Sequence, residues 1–180
     1  MKPLVALLMV LAVLLCPFAV DAAPLSPNLL TSAEATAIAA ALGCPAEVHV
    51  VKASQTNGFF ALGGDPFGGP VGPYIVIFGN ASHDQDALRG ILVHEIGHCR
   101  QWQRGELNQV WPWTEWGADT YAIDFAPQVG LDPVFLDTDL FDFYTGNPQS
   151  SGGGPHGDGP GRLLHIKYEL TKRGYHTQGG

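Results

Sequence analysis

His94-Glu95-Ile96-Gly97-His98 sets two imidazoles four positions apart, with a carboxylate directly after the first. On an α-helix, residues i and i+4 share one face, so both rings can reach a single divalent ion, at ~2.0–2.1 Å if it is zinc. Glu95 is turned about 100° round the helix from His94. It cannot comfortably share the rings' coordination direction, but it can reach a water bound to the same ion, where a general base belongs. The same spacing suits two solvent-facing histidines on an amphipathic helix, so residues beyond this pentapeptide must decide.

A metal that activates water needs three protein ligands and one open position. One arrangement takes a third histidine six residues after the second, with a glycine between; those positions are Arg104 and Gln101, which excludes it. Another takes a glutamate from the following helix. Glu115 and Asp119, in Thr114-Glu115-Trp116-Gly117-Ala118-Asp119, form a second i, i+4 pair. Glu115 can complete the ligand set. Asp119 can accept the free ring N–H of a ligand histidine, His94 first, which fixes its tautomer. A helix hairpin with Gly105 and Pro112 in its connection would bring both carboxylates back. The alternative is a solvated acidic face, which sits poorly beside Trp111, Trp113, Trp116, Tyr121 and Phe125.

The elements that must position these groups follow from local signals. Thr31-Ser32-Ala33-Glu34 is a capping-box pattern, and the alanine-rich run behind it predicts a helix over Ser32–Leu42 ending at Gly43. Short β-rich runs lie at Val48–Val51 and Gly58–Leu62, and the stretch from Gly63 to Pro70 is a loop. Tyr74–Phe78 is the strongest strand; it could border the cleft and offer an edge to an extended peptide, or lie inside the sheet. Ser82 or Asp84 can cap a helix running to about Arg104, closed by Gly105, and Thr114 can cap the next, to about Gln128. A helical turn near Pro133–Tyr144, a loop over Gly146–Gly161 and a helix over Arg162–Arg173 complete the order. That last helix carries Leu163, Ile166 and Leu170 on one stripe and is closed by Gly174. One helix, three strands and then helices predict an α+β fold with a small antiparallel or mixed sheet.

Glu-x-x-Ala-Asp after His-Glu-x-x-His resembles the gluzincin metallopeptidases, most closely the prenyl-endopeptidase-like group, whose pattern continues with aromatic and alanine residues, here Tyr121-Ala122. His156 and Arg162 are similar to that group's histidine and the arginine that opens its last core helix six positions later. Gly157 stands where the group usually has proline. The resemblance spans about Tyr74 to Tyr175. It implies a zincin-like helical core holding one zinc ion through His94, His98 and Glu115, with Glu95 as base, Asp119 behind His94, and a peptide or protein substrate. For the donor to the oxyanion it points to His156, with Tyr144 and Arg162 behind it as support for the transition state or cleft; Arg162 could equally be a structural residue opening its helix and paired with an acidic side chain. Two other readings remain: a binding module stapled by zinc that cuts nothing, and an amidase acting on cell-wall peptides.

Residues 1–22 read as a secretory signal peptide: Met1-Lys2, an apolar run from Leu4 to Val20, and small residues permitting a cut after Ala22. Cys16 lacks the small residue before it that lipid attachment normally needs. Residues 23–180 then form a single exported domain with no further stretch able to span a membrane. The net charge of −8 and the lack of a basic patch argue against nucleic acid. After cleavage Cys44 and Cys99 remain. They can pair as a disulfide in an oxidising compartment, or stay as buried thiols. His49, His83, His165 and His176 have no partner spacing. The tryptophans could line a pocket, but suit packing of the helix hairpin better.

Overall fold

A computed structural model describes residues 29–68, 71–82, 84–107, 113–134 and 159–176. The elements in chain order are α1 (Ser32–Ala41), β1 (Glu47–Lys52), β2 (Asn57–Gly63), β3 (Gly72–Gly79), α2 (Gln85–Gln103), α3 (Trp113–Phe125), a 3-10 turn (Ala126–Val129) and α4 (Gly159–Lys172). The fold is α+β with a three-stranded mixed sheet. The signal-peptide reading, Cys16, His83, Trp111, Pro112, Tyr144 and His156 lie outside the described residues, as does most of the turn expected at Pro133–Tyr144. No helix among the described residues is long and apolar enough to cross a membrane.

β3 lies in the middle of the sheet, parallel to β1 and antiparallel to β2. The idea of β3 as a peptide-binding edge is therefore corrected: its polar backbone groups face strands on both sides. The reason is visible in Tyr74-Ile75-Val76-Ile77-Phe78, an unbroken apolar run rather than an alternating one, which suits a strand covered on both faces. Ile75, Val76 and Ile77 are all fully buried. Ile75 and Ile77 join the core beneath the helices. The other face carries Phe59 packed between Tyr74 and Phe78, with ring centroids 6.1 and 6.0 Å away.

The helices stack outward from the sheet. α1 lies on β1, α2 on β2 and β3, α3 on α2, and α4 on α3. Thr31 caps α1 by accepting from the Glu34 N–H, but the reciprocal half of the capping box is not made; the Glu34 carboxylate pairs instead with the buried Arg89 at 2.9 Å. Asp84, not Ser82, caps α2, and Ser82 hydrogen-bonds Asn80. Thr114 lies inside α3 rather than capping it. The α-helix gives way at Phe125 because Pro127 has no N–H and its ring opposes a continuing helix. α4 begins three residues earlier than expected, since Pro160 in its first turn needs no donor there.

α2 is buried on nearly every side. Leu88, Leu92 and Ile96 face the core, while Arg89, His94, Glu95, His98 and Gln101 are buried polar groups. A disulfide joins Cys99 on α2 to Cys44 just after α1, with Cα atoms 6.0 Å apart. Gly97 meets α3 closely: a Cβ there would lie 2.6 Å from the Ala118 carbonyl oxygen and 2.9 Å from its Cα. Those are backbone atoms and cannot swing aside.

Two stability outcomes follow. Gly97→Ala normally favours a helix, but here the two helices must part, so the metal-free variant should lose about 1–3 kcal/mol in urea unfolding. A gain would show that the contact has slack. Replacing both Cys44 and Cys99 by alanine reopens a loop of sequence separation 55 and should cost about 2–4 kcal/mol in the same assay. Unchanged stability would remove the disulfide from the account.

Candidate metal centre

His94, Glu95 and His98 lie on α2, and Glu115 and Asp119 on α3. The close approach at Gly97 and Ala118 lets Glu115 straddle both rings. Its Oε2 is 3.3 Å from His94 Nε2 and its Oε1 is 3.3 Å from His98 Nε2. These three residues offer ligand atoms within 4.8 Å of one another, and all three are buried. The rings sit edge to face, with centroids 4.8 Å apart. His94 Nε2 is buried and makes no hydrogen bond. A ring nitrogen that meets a carboxylate and has no other partner suits a cation, whether a proton or a metal ion.

Asp119 sits behind His94, its Oδ1 2.9 Å from Nδ1. A carboxylate only accepts, so Nδ1 carries the hydrogen and Nε2 faces Glu115. Arg162, on α4, reaches Asp119 through two nitrogens, Nε to Oδ2 at 2.9 Å and NH2 to Oδ1 at 2.5 Å, and its NH1 lies 3.3 Å from Glu115 Oε2. The Arg162 NH2–His94 Nδ1 approach of 3.3 Å joins two donors and is no hydrogen bond. Arg162 is only 1% exposed. Of its two expected places, the one observed is the pairing with an acidic side chain: it lies underneath the carboxylates, where a buried guanidinium needs them as partners. His156 and Tyr144 fall outside the described residues.

The electrostatics are consistent with a cation site. Glu95, Glu115 and Asp119 are all buried, against one guanidinium. Burial and Arg162 oppose a charge on His94, but Asp119 behind Nδ1 and the Glu115 carboxylate 3.3 Å from Nε2 prevail and raise its pKa to about 9. Burial works against the Asp119 carboxylate too, yet Arg162 and His94 lower its pKa to about 2. In the metal-free protein an imidazolium therefore supplies the positive charge that a divalent ion would bring.

Glu95 is 2% exposed, and no described side chain hydrogen-bonds or ion-pairs with its carboxylate. Gly58 on β2 leaves it room, since a Cβ there would lie 3.1 Å from Glu95 Cγ. A cleft of about 370 Å³ opens beside it, walled by Phe60, Leu62 and Leu107 and floored by Glu95, His98 and Glu115. β2, not β3, is the strand that borders this cleft. A larger hollow of about 640 Å³ lies at β1 and shares no lining residue with it. There His49 pairs with Asp65 at 2.6 Å and ties the β2–β3 loop to β1.

The sequence marks Gln101 only as a position lacking a metal ligand. It is buried, with Oε1 2.9 Å from His98 Nδ1 and Nε2 2.7 Å from the Thr114 carbonyl. The signal was its place one turn after His98. His165 stacks on Trp116 at 5.1 Å and lies 3.0 Å from both Thr120 Oγ1 and the Trp116 carbonyl, clamping α4 to α3. Trp102 packs on Phe60, whereas Trp113 is 59% exposed. No family model, curated protein or solved structure matches this chain.

The raised pKa gives the pH dependence a definite sign. In the metal-free protein, stability from charged His94 is full below about pH 6.5 and is lost as pH climbs towards 9; that from Asp119 is full above about 3.8 and is lost as pH falls towards 2. A metal needs the neutral ring. Metal uptake at pH 7 should therefore expel about one proton from His94, measurable by calorimetry in buffers of different ionisation enthalpy. Uptake without proton release would mean that His94 is already neutral.

Proposed function

We propose that the chain is an exported zinc peptidase of gluzincin type, built on a zincin-like core. The observation that carries this reading is Glu115 set 3.3 Å from the Nε2 atoms of both His94 and His98, on a helix separate from theirs. Two imidazoles and one carboxylate form a three-ligand set for zinc, and three ligands leave a position for water. A structural staple would be expected to close with a fourth protein ligand. None is grouped with these three among the described residues, which favours the hydrolase over the binding module. The Cys44–Cys99 disulfide supports an oxidising compartment, and hence export.

Bound zinc would lower the pKa of its water to about 7 and polarise a substrate carbonyl. Glu95, next to both ligands on the cleft floor, accepts the proton from the attacking water and passes it to the leaving amine. Asp119 holds His94 in the tautomer that turns Nε2 towards the metal, and Arg162 keeps Asp119 ionised. β2 has a free edge among the described strands and passes the cleft, so an extended peptide can add to it as a further strand. His156 remains the proposed donor to the oxyanion, followed by Tyr144.

The test is Glu95→Gln assayed on a peptide mixture with metal analysis alongside. The variant should keep about one zinc per chain and lose hydrolysis at least ~100-fold. Surviving activity would rule Glu95 out as the base; a wild-type protein that binds zinc but cleaves nothing would favour the binding module.

A further inference from the structure

We infer that Gln101, anchored to the neighbouring helix α3, is a positioning residue that fixes the tautomer and ring orientation of His98 one turn before it on α2; the inference rests on the metal-site reading above. The Thr114 backbone carbonyl can only accept a hydrogen bond. Gln101 must therefore turn its NH2 towards Thr114, at 2.7 Å, which leaves Oε1 facing His98 Nδ1 at 2.9 Å. An amide oxygen also only accepts, so Nδ1 carries the hydrogen and the lone pair of Nε2 points at Glu115. A main-chain group on α3 thus sets, through one side chain, which nitrogen of a ring on α2 is available to metal.

The two ligand histidines are held by different means. His94 is backed by a carboxylate that a buried guanidinium keeps ionised. His98 is backed by a neutral amide. Fixing such outer partners matters to metal affinity because a ring free to flip or to exchange tautomers offers its lone pair only part of the time.

The packing around Gln101 is cut to fit it. Gly117 on α3 faces the amide directly: a Cβ at that position would lie 2.4 Å from Gln101 Nε2. Gly117 sits inside a helix, where alanine is the better former. Its lack of a side chain makes room for the amide. Gly117 therefore offers a way to move Gln101 without changing it.

The experiment measures Zn2+ affinity by competition with a chromophoric chelator, and the visible spectrum with Co2+ in its place, on the full chain. Gln101→Leu should bind Zn2+ about 10–100-fold more weakly and shift the Co2+ bands. Gln101→Glu, which keeps an acceptor at the same reach but loses the donor to the Thr114 carbonyl, should recover only part of that affinity. Gly117→Ala should weaken binding while the metal-free melting temperature holds or rises, a combination that a purely structural role for Gln101 does not produce. A folded Gln101→Leu with wild-type affinity and spectrum overturns the inference. If that variant does not fold, Gly117→Ala decides, and unchanged affinity and spectrum there overturn it. Wild-type protein that takes up no metal overturns the zinc reading, and this inference with it.

Discussion

The whole arrangement depends on two helices touching backbone to backbone. Where Gly97 meets Ala118, α2 and α3 approach more closely than any side chain would permit. Only at that separation can a glutamate on one helix bridge two imidazoles on the other. Gly117 repeats the device one residue before Ala118, for the Gln101 amide. The helix propensity given up at these glycines is small beside the electrostatics that the contact allows.

Those electrostatics are the second theme. Carboxylates, imidazoles and a guanidinium lie together at 8% exposure or less. Burying any one of them alone would be prohibitive; burying them as a paired set is tolerable because each charge meets its complement at hydrogen-bond distance. Arg162 and Asp119 form the rigid base, His94 stands on Asp119, and Glu115 spans the two rings. The result is a pocket in which carboxylates outnumber the guanidinium. The metal-free protein balances it by holding a proton on His94.

The surroundings serve this centre. The disulfide pins α2 to the end of α1 through the residue that follows His98. His165 locks α4 against α3, which keeps Arg162 beneath the site. The sheet supplies the opposite wall, with β2 running past Glu95 and β3 buried as its spine.

Local chemistry made much of this legible in the chain itself. Periodicity and caps marked the helices and strands to within a few residues, because hydrogen-bonding needs at element ends are met by near neighbours such as Asp84 and Gly43. The i, i+4 spacings of His94 with His98 and of Glu115 with Asp119 put each pair on one face, because helix geometry is the same everywhere. Tertiary packing decided the rest. Whether Tyr74–Phe78 was edge or centre depended on strands pairing across the chain. Whether Arg162 faced a cleft or underlay the carboxylates depended on how α4 docked. Gln101 took its role from a carbonyl thirteen positions away. Sequence spacing fixes directions within a helix, but distances between helices are set by which side chains are missing at the contact.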